Sequence, residues 1–201
     1  MLHTVTAVSA LSLALTLSGC AAEQTPTASP TASAPALESV SFSDGATLSP
    51  DTDVSWGNGF AHDEGWEELA HMAAPGRWVY SNTAGTCAAA FRGGVLGDAN
   101  GMNDQQATDA VIAAELGEDP RELAESLSDG YFLRYGPGKA QVAHHQFSFT
   151  INGRDRFIAA RAFVALNYSV HVMILCDGAD VNVAAQVLSK NMIAIEPGPQ
   201  L

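Results

Sequence analysis

Four kinds of side chain in this 201-residue chain could carry chemistry: thiols, a histidine doublet, an arginine inside an apolar run, and loops rich in carboxylates or glycines. His144 and His145 precede Phe147, Phe149 and Ile151, which alternate with Ser148 and Thr150 in the period-2 pattern of a half-buried strand. Adjacent strand residues point to opposite faces, so the two imidazoles cannot easily share one ion. Glu67 and His71 stand four apart, but no His-Glu-x-x-His spacing exists and no cysteine pair suits zinc. The loop from Asp98 to Asp104 carries oxygens calcium would accept, yet Met102 and Asn103 stand where an EF-hand wants an oxygen ligand and glycine, so it is read as a turn. There is no Gly-x-Ser-x-Gly elbow, and Gly93-Gly94-Val95-Leu96-Gly97 lacks the lysine of a phosphate-cradling loop. Those glycines are expected to shape a turn at Phe91-Arg92-Gly93-Gly94 between a strand and a helix. No catalytic residue, metal site or cofactor is assigned.

Arg161 is the side chain whose surroundings matter most. Asn152-Gly153 reads as a two-residue hairpin turn. Counting back from Ile151 facing Arg154 sets His144 opposite Arg161 and Gln146 opposite Ala159. His144, Gln146, Ser148 and Arg161 then share one sheet face, while Phe147, Phe149, Ile158 and Val164 fall on the other, which is expected to be the better core. An arginine among apolar neighbours must meet a partner or solvent, because burying it unpaired costs too much. Two outcomes stand open: an acid from elsewhere, or a small anionic or polar ligand held by His144, Gln146 and Arg161.

The elements that position these residues follow from local signals. Trp78 to Tyr80 and Cys87 to Phe91 flank Asn82-Thr83-Ala84-Gly85 as a hairpin. Asp104 to Leu116 is expected to be a helix carrying Ala107, Val111, Ile112 and Ala114. Asp119-Pro120-Arg121-Glu122 starts another, with an N-cap acid, an early proline and a capping-box glutamate, and Leu123 and Leu127 as its buried edge. Strands are expected over Arg154 to Leu166 and Tyr168 to Cys176, then a helix capped by Asp180 with Val181, Ala184, Ala185 and Leu188 on one stripe, then a short strand at Met192 to Glu196. Trp66 to Ala74 leans to helix.

The extreme N-terminus carries an apolar run from Val5 to Leu17, too short for a bilayer span of roughly 20 residues and suited to a signal-peptide core. It closes on Leu17-Ser18-Gly19-Cys20, which resembles the lipobox of bacterial lipoproteins. The resemblance implies a diacylglyceryl thioether on Cys20, cleavage after Gly19, and a chain anchored at the cell membrane on its extracytoplasmic face. Residues 1–19 are thus read as a lipoprotein signal peptide. Residues 20–38 are read as a disordered Ala/Ser/Thr/Pro tether with nothing large to bury, and residues 39–201 as a single globular domain. Export places Cys87 and Cys176 where thiols oxidise, so they are expected to form one structural disulfide.

Charge narrows the partners. Nine carboxylates precede Arg77, the first lysine or arginine, and the formal net charge is -13, which argues against nucleic acid as a ligand. The class is α+β, an antiparallel sheet packed with helices. The Gly85-Thr86-Cys87 strand, the Arg92-Gly93-Gly94 turn, the Asp104 helix and the Ala159-Ala160-Arg161-Ala162-Phe163 to Cys176 stretch are similar to uncharacterised lipoproteins of high-GC Gram-positive bacteria. The element order resembles the α/β/α sandwich of PsbP-like proteins. That resemblance implies a fold and a compartment and carries over no active-site residue. The function expected is a lipid-anchored binding or interaction module of the cell envelope, its partner an envelope protein or a small ligand. The alternative is an envelope enzyme, hydrolase-like, with a carboxylate–histidine site. Cys20→Ala is expected to shed the protein into the medium or leave it unprocessed, as fractionation and mass spectrometry would show; unchanged, processed membrane retention would contradict the lipid anchor.

Overall fold

The computed structural model describes residues 38–178 and 181–197. Cys20, the signal peptide, nearly all of the tether and the Asp180 cap therefore lie outside the described residues, and only the backbone of Val181 is considered.

After a short helix α1 (Phe42–Gly45) the chain forms strands β1 (Asp53–Trp56), β2 (Trp66–Glu68), β3 (Arg77–Asn82) and β4 (Cys87–Val95). Helices α2 (Asp104–Leu116) and α3 (Pro120–Leu123) follow. A meander comes next, β5 (Ser128–Leu133), β6 (Gln141–Ile151), β7 (Arg154–Phe163) and β8 (Tyr168–Asp177), before α4 (Val181–Lys190) and β9 (Ile193–Glu196). Seven strands make an antiparallel sheet in the order β2-β3-β4-β8-β7-β6-β5, and β1 pairs with β9 in a separate ribbon.

Local codes account for the best-defined pieces. Asn103 caps α2 by accepting from Gln106 N while Gln106 reaches back, and Gly117 ends the helix in the left-handed region at φ 73°. Asn152 and Gly153 both take positive φ, as the tightest hairpin turn requires, and Ile151 faces Arg154 with Gln146 facing Ala159, the expected register. Cys87 and Cys176 face each other across β4 and β8 and are disulfide-bonded.

Both faces of the sheet are buried. On one, Ile158, Ala160 and Ala162 pack under α2 and α3, with Ile112, Ala113 and Leu123. On the other, the β1–β9 ribbon and α4 cover Phe91, Phe132, Val142, Ala159, Phe163, Val170 and Val172. This second cluster is the larger, so the expectation that the Phe147/Ile158 face is the better core is corrected. The face shared by His144, Gln146 and Arg161 buries more apolar surface because a helix and a ribbon both close over it.

Other expectations are corrected as well. Trp66 to Ala74 is not a helix: β2 pairs with β3, Trp66 opposite Asn82, and a 3₁₀ turn follows at Ala70–Met72. Trp66 stacks on Phe60 at 4.4 Å, a long-range contact that outweighs helix propensity. Arg92-Gly93-Gly94 is no turn but the continuation of β4, with Gly93 opposite Val170. A Cβ on Gly93 would lie 2.5 Å from the Tyr168 hydroxyl, which is why glycine stands there. The strand begun at Arg154 ends at Phe163, and Val164–Leu166 is a 3₁₀ turn. Asp119 caps α3 through Arg121 N, without a return bond from Glu122.

Candidate functional site

β6 and β7 run paired from the hairpin turn only as far as His145 opposite Ala160, then separate, so the expected pairing of His144 with Arg161 is corrected: the two share a face but are not cross-strand partners. Into the gap goes the N-terminal segment: Val40 N donates to Gln141 O and Ala143 N donates to Val40 O. On β7 the N–H groups left without β6 are taken by α2, Ala162 N donating to Thr108 Oγ1 and Val164 N to Asp104 Oδ1, both at 2.9 Å. Arg161 closes the same gap. Its guanidinium donates to Ser41 O at 2.9 Å, to Ala143 O at 3.3 Å and to Asp104 Oδ2 at 3.0 Å, between the rings of Phe42 and Phe163.

Arg161 is fully buried, and so is Asp104, at 0% and 2% exposure. Burial lowers the Arg161 pKa to about 10 and raises that of Asp104, while each ion favours the charged form of the other. A Cβ on Gly45 would sit 2.1 Å from this guanidinium and 2.2 Å from the carboxylate, so only glycine lets α1 lie on the pair.

The three residues expected to form one ligand site share a face but divide among different surroundings. Arg161 is sealed with its acid. The His144 ring lies tilted against Phe132, centroids 4.0 Å apart, and its Nε2 donates to Gln146 Oε1 at 3.0 Å, leaving Nδ1 buried without a hydrogen-bond partner among the described residues. Gln146 opens onto a groove of about 550 Å³ between β6, β7, β8 and α4. Phe157, Ile174, Cys176, Ala184, Ala185 and Leu188 give it an apolar side, and Gln146, Ser148 and Thr150 a polar one. This mix of an apolar body and a few polar groups is what a binding site of that size offers.

The groove adjoins a free strand edge. β5 pairs with β6 only from Leu133 opposite Gln141 to Ser128 opposite Gln146, so among the described residues β6 runs on from Phe147 to Ile151 without a strand partner on that side. Odd-numbered residues of β6 turn their backbone groups toward Val40 and β7, and even-numbered ones toward β5. Ser148 and Thr150 therefore offer outward N–H and C=O groups beside the groove. Sequence reasoning found the strand but missed this edge, because β5 carried no hairpin signal of its own.

His145 points to the opposite face, as the strand alternation requires. Its Nδ1 is bonded to Asp109, and its Nε2 lies 3.3 Å from both Asp129 Oδ1 and Gln105 Nε2. The Asp109–His145 contact matches the acid–histidine half of a nucleophilic triad, while Asp129 stands where the nucleophile would be. Among the described residues, the hydrogen bonds and ion pairs of His145 go to no hydroxyl or thiol. Asp109 and Asp129 come from α2 and β5, and no spacing in the sequence links them to His145.

No protein-family model matches the chain, and no curated protein matches it in sequence.

Burial holds His144 neutral, with a pKa lowered to about 4 against about 6.5 in an unfolded chain. Between those values the unfolded state binds the extra proton, so His144 takes away about 3 kcal/mol of stability as pH falls from about 6.5 to about 4. Asp104 shifts in the opposite sense, and its effect cancels when His144→Leu is compared with the parent. Urea unfolding at pH 7 and near pH 4.5 is expected to show His144→Leu losing less stability on acidification than the parent; equal losses would refute a buried neutral His144.

Proposed function

We propose that this protein is a lipid-anchored, extracytoplasmic binding module whose sheet–α4 groove and adjoining β6 edge hold an extended segment of a cell-envelope protein. One observation carries the reading: a largely apolar groove lies directly beside outward-facing backbone groups of Ser148 and Thr150. An extended peptide gains main-chain hydrogen bonds by lengthening a sheet, and alternate side chains gain specificity in a pocket. The groove has such a pocket on the polar side of β6. The lipobox at Leu17-Ser18-Gly19-Cys20 supports the membrane location, and the acidic charge argues against nucleic acid. The layering, α2 and α3 on one side and α4 on the other, is compatible with the α/β/α sandwich of PsbP-like proteins.

The alternative, a hydrolase-like envelope enzyme, draws on the Asp109–His145–Asp129 trio alone. It requires a nucleophile or an activated water beside His145, and turnover abolished by His145→Gln.

The groove reading is tested with a photo-crosslinking residue at Thr150 in membranes of the native host. A crosslink to an envelope protein that maps to one short segment is expected. The corresponding synthetic peptide should lose about tenfold or more in affinity with Ala185→Trp, which fills the groove, and with Ser148→Pro, which deletes an outward N–H. Peptide affinity indifferent to both changes would contradict the proposal.

A further inference from the structure

A second pocket, of about 420 Å³, lies on the opposite face of the sheet, where the last turns of α2 stand over β4 and β8 and the Ala74–Arg77 turn forms the rim. Its charge is unlike the rest of the molecule. Arg77 faces Arg92 across β3 and β4, and Arg92 faces His171 across β4 and β8, so three basic side chains form one row. Like charges set directly opposite on neighbouring strands repel, and the chain has only nine lysines and arginines against 22 acids. Such a row needs anions.

The protein supplies one. Glu115 of α2 accepts from Arg92 at 2.6 Å and lies 3.4 Å from His171 Nε2. Arg77 has no side-chain hydrogen bond or ion pair among the described residues. His171 is 8% exposed, lines the pocket, and neither of its ring nitrogens makes a hydrogen bond among the described residues. Ser169, equally buried, adds a hydroxyl on the same wall. Side chains do not fill the floor: a Cβ placed on Gly94 or Gly97 would meet nothing within 4 Å.

We propose that this pocket is an oxyanion site that takes a phosphate group through Arg77, Arg92 and His171. Phosphate fits better than carboxylate because the donors come from three strands. A carboxylate offers two oxygens in one plane, whereas a phosphate presents its oxygens in several directions and is suited to guanidinium forks. Glu115 holds Arg92 and His171 while the site is empty of ligand and competes with the incoming anion, while Arg77 makes the first contact. The site is independent of the groove and of any peptide bound there.

Titration calorimetry with inorganic phosphate on the purified domain, and sedimentation with phosphatidylglycerol or phosphatidylcholine vesicles, tests the proposal and separates its two sources. Saturable phosphate binding identifies a soluble phosphate ligand; binding confined to phosphatidylglycerol vesicles identifies a lipid headgroup. In whichever arm binds, Arg77→Gln should weaken affinity about tenfold or more, Glu115→Gln should tighten it, and Arg121→Gln, on α3, should leave it unchanged. The opposite signs at Arg77 and Glu115 separate site chemistry from damage to the fold. Absence of binding in both arms at millimolar phosphate overturns the proposal, as does affinity unmoved by Arg77→Gln or weakened by Glu115→Gln.

Discussion

The buried Asp104–Arg161 pair is the constraint on which the rest of this fold depends. Two neighbouring strands diverge in the middle of a sheet, and every backbone group so exposed must find another partner. The N-terminal segment takes the groups of β6, Thr108 and Asp104 take those of β7, and Arg161 bonds carbonyls from both sides. A neutral side chain at position 161 could not gather Ser41 O, Ala143 O and Asp104 together. A buried ion pair is poor evidence of net stability, but removing one member strands the other, which is what makes the pair indispensable.

The opposite end of the same strands is held differently. The Cys87–Cys176 bond ties β4 to β8 near the hairpin tip, where Asp155 of β7 also faces Cys176. There β6 extends beyond β5 and α4 leaves the groove open. One end of β6–β8 is closed by polar contacts and by the residues that follow the Thr/Pro/Ala/Ser stretch, and the other is stapled but accessible. The proposed recognition lies at the accessible end, beside a stapled strand pair, and the polar cluster at the closed end is a fold determinant. On the far face of the sheet α2 both packs the second core and brings Glu115 to the basic row.

What the sequence made legible was whatever its neighbours in the chain decide. The Asn152-Gly153 turn is a local code from which the β6–β7 register followed, and α2 followed from Ala107, Val111, Ile112 and Ala114; Asn103 and Gly117, which end that helix, are equally local but went unread. The face shared by His144, Gln146 and Arg161 followed too, by counting. Trp66–Glu68 did not, because its partners, Phe60 and β3, impose an edge strand on a segment of helical composition. Gly93-Gly94 read as a turn because glycine signals freedom locally, while here it makes room for Tyr168. The acid for Arg161 lies 57 residues away at a helix start, and the Arg77–Arg92–His171 row needs three strands to align before it exists. Long-range pairing leaves no mark in spacing, which is why the sites were less readable than the elements.

A double-mutant cycle at Asp104 and Arg161, read by equilibrium urea unfolding, tests the central claim most directly. Arg161→Met and Asp104→Asn should each cost about 3–5 kcal/mol, and the double variant should cost less than their sum by at least about 1 kcal/mol, because the second change removes a charge the first had stranded. Additive losses, or an Arg161→Met variant as stable as the parent, would contradict the view that this pair holds the divided sheet together.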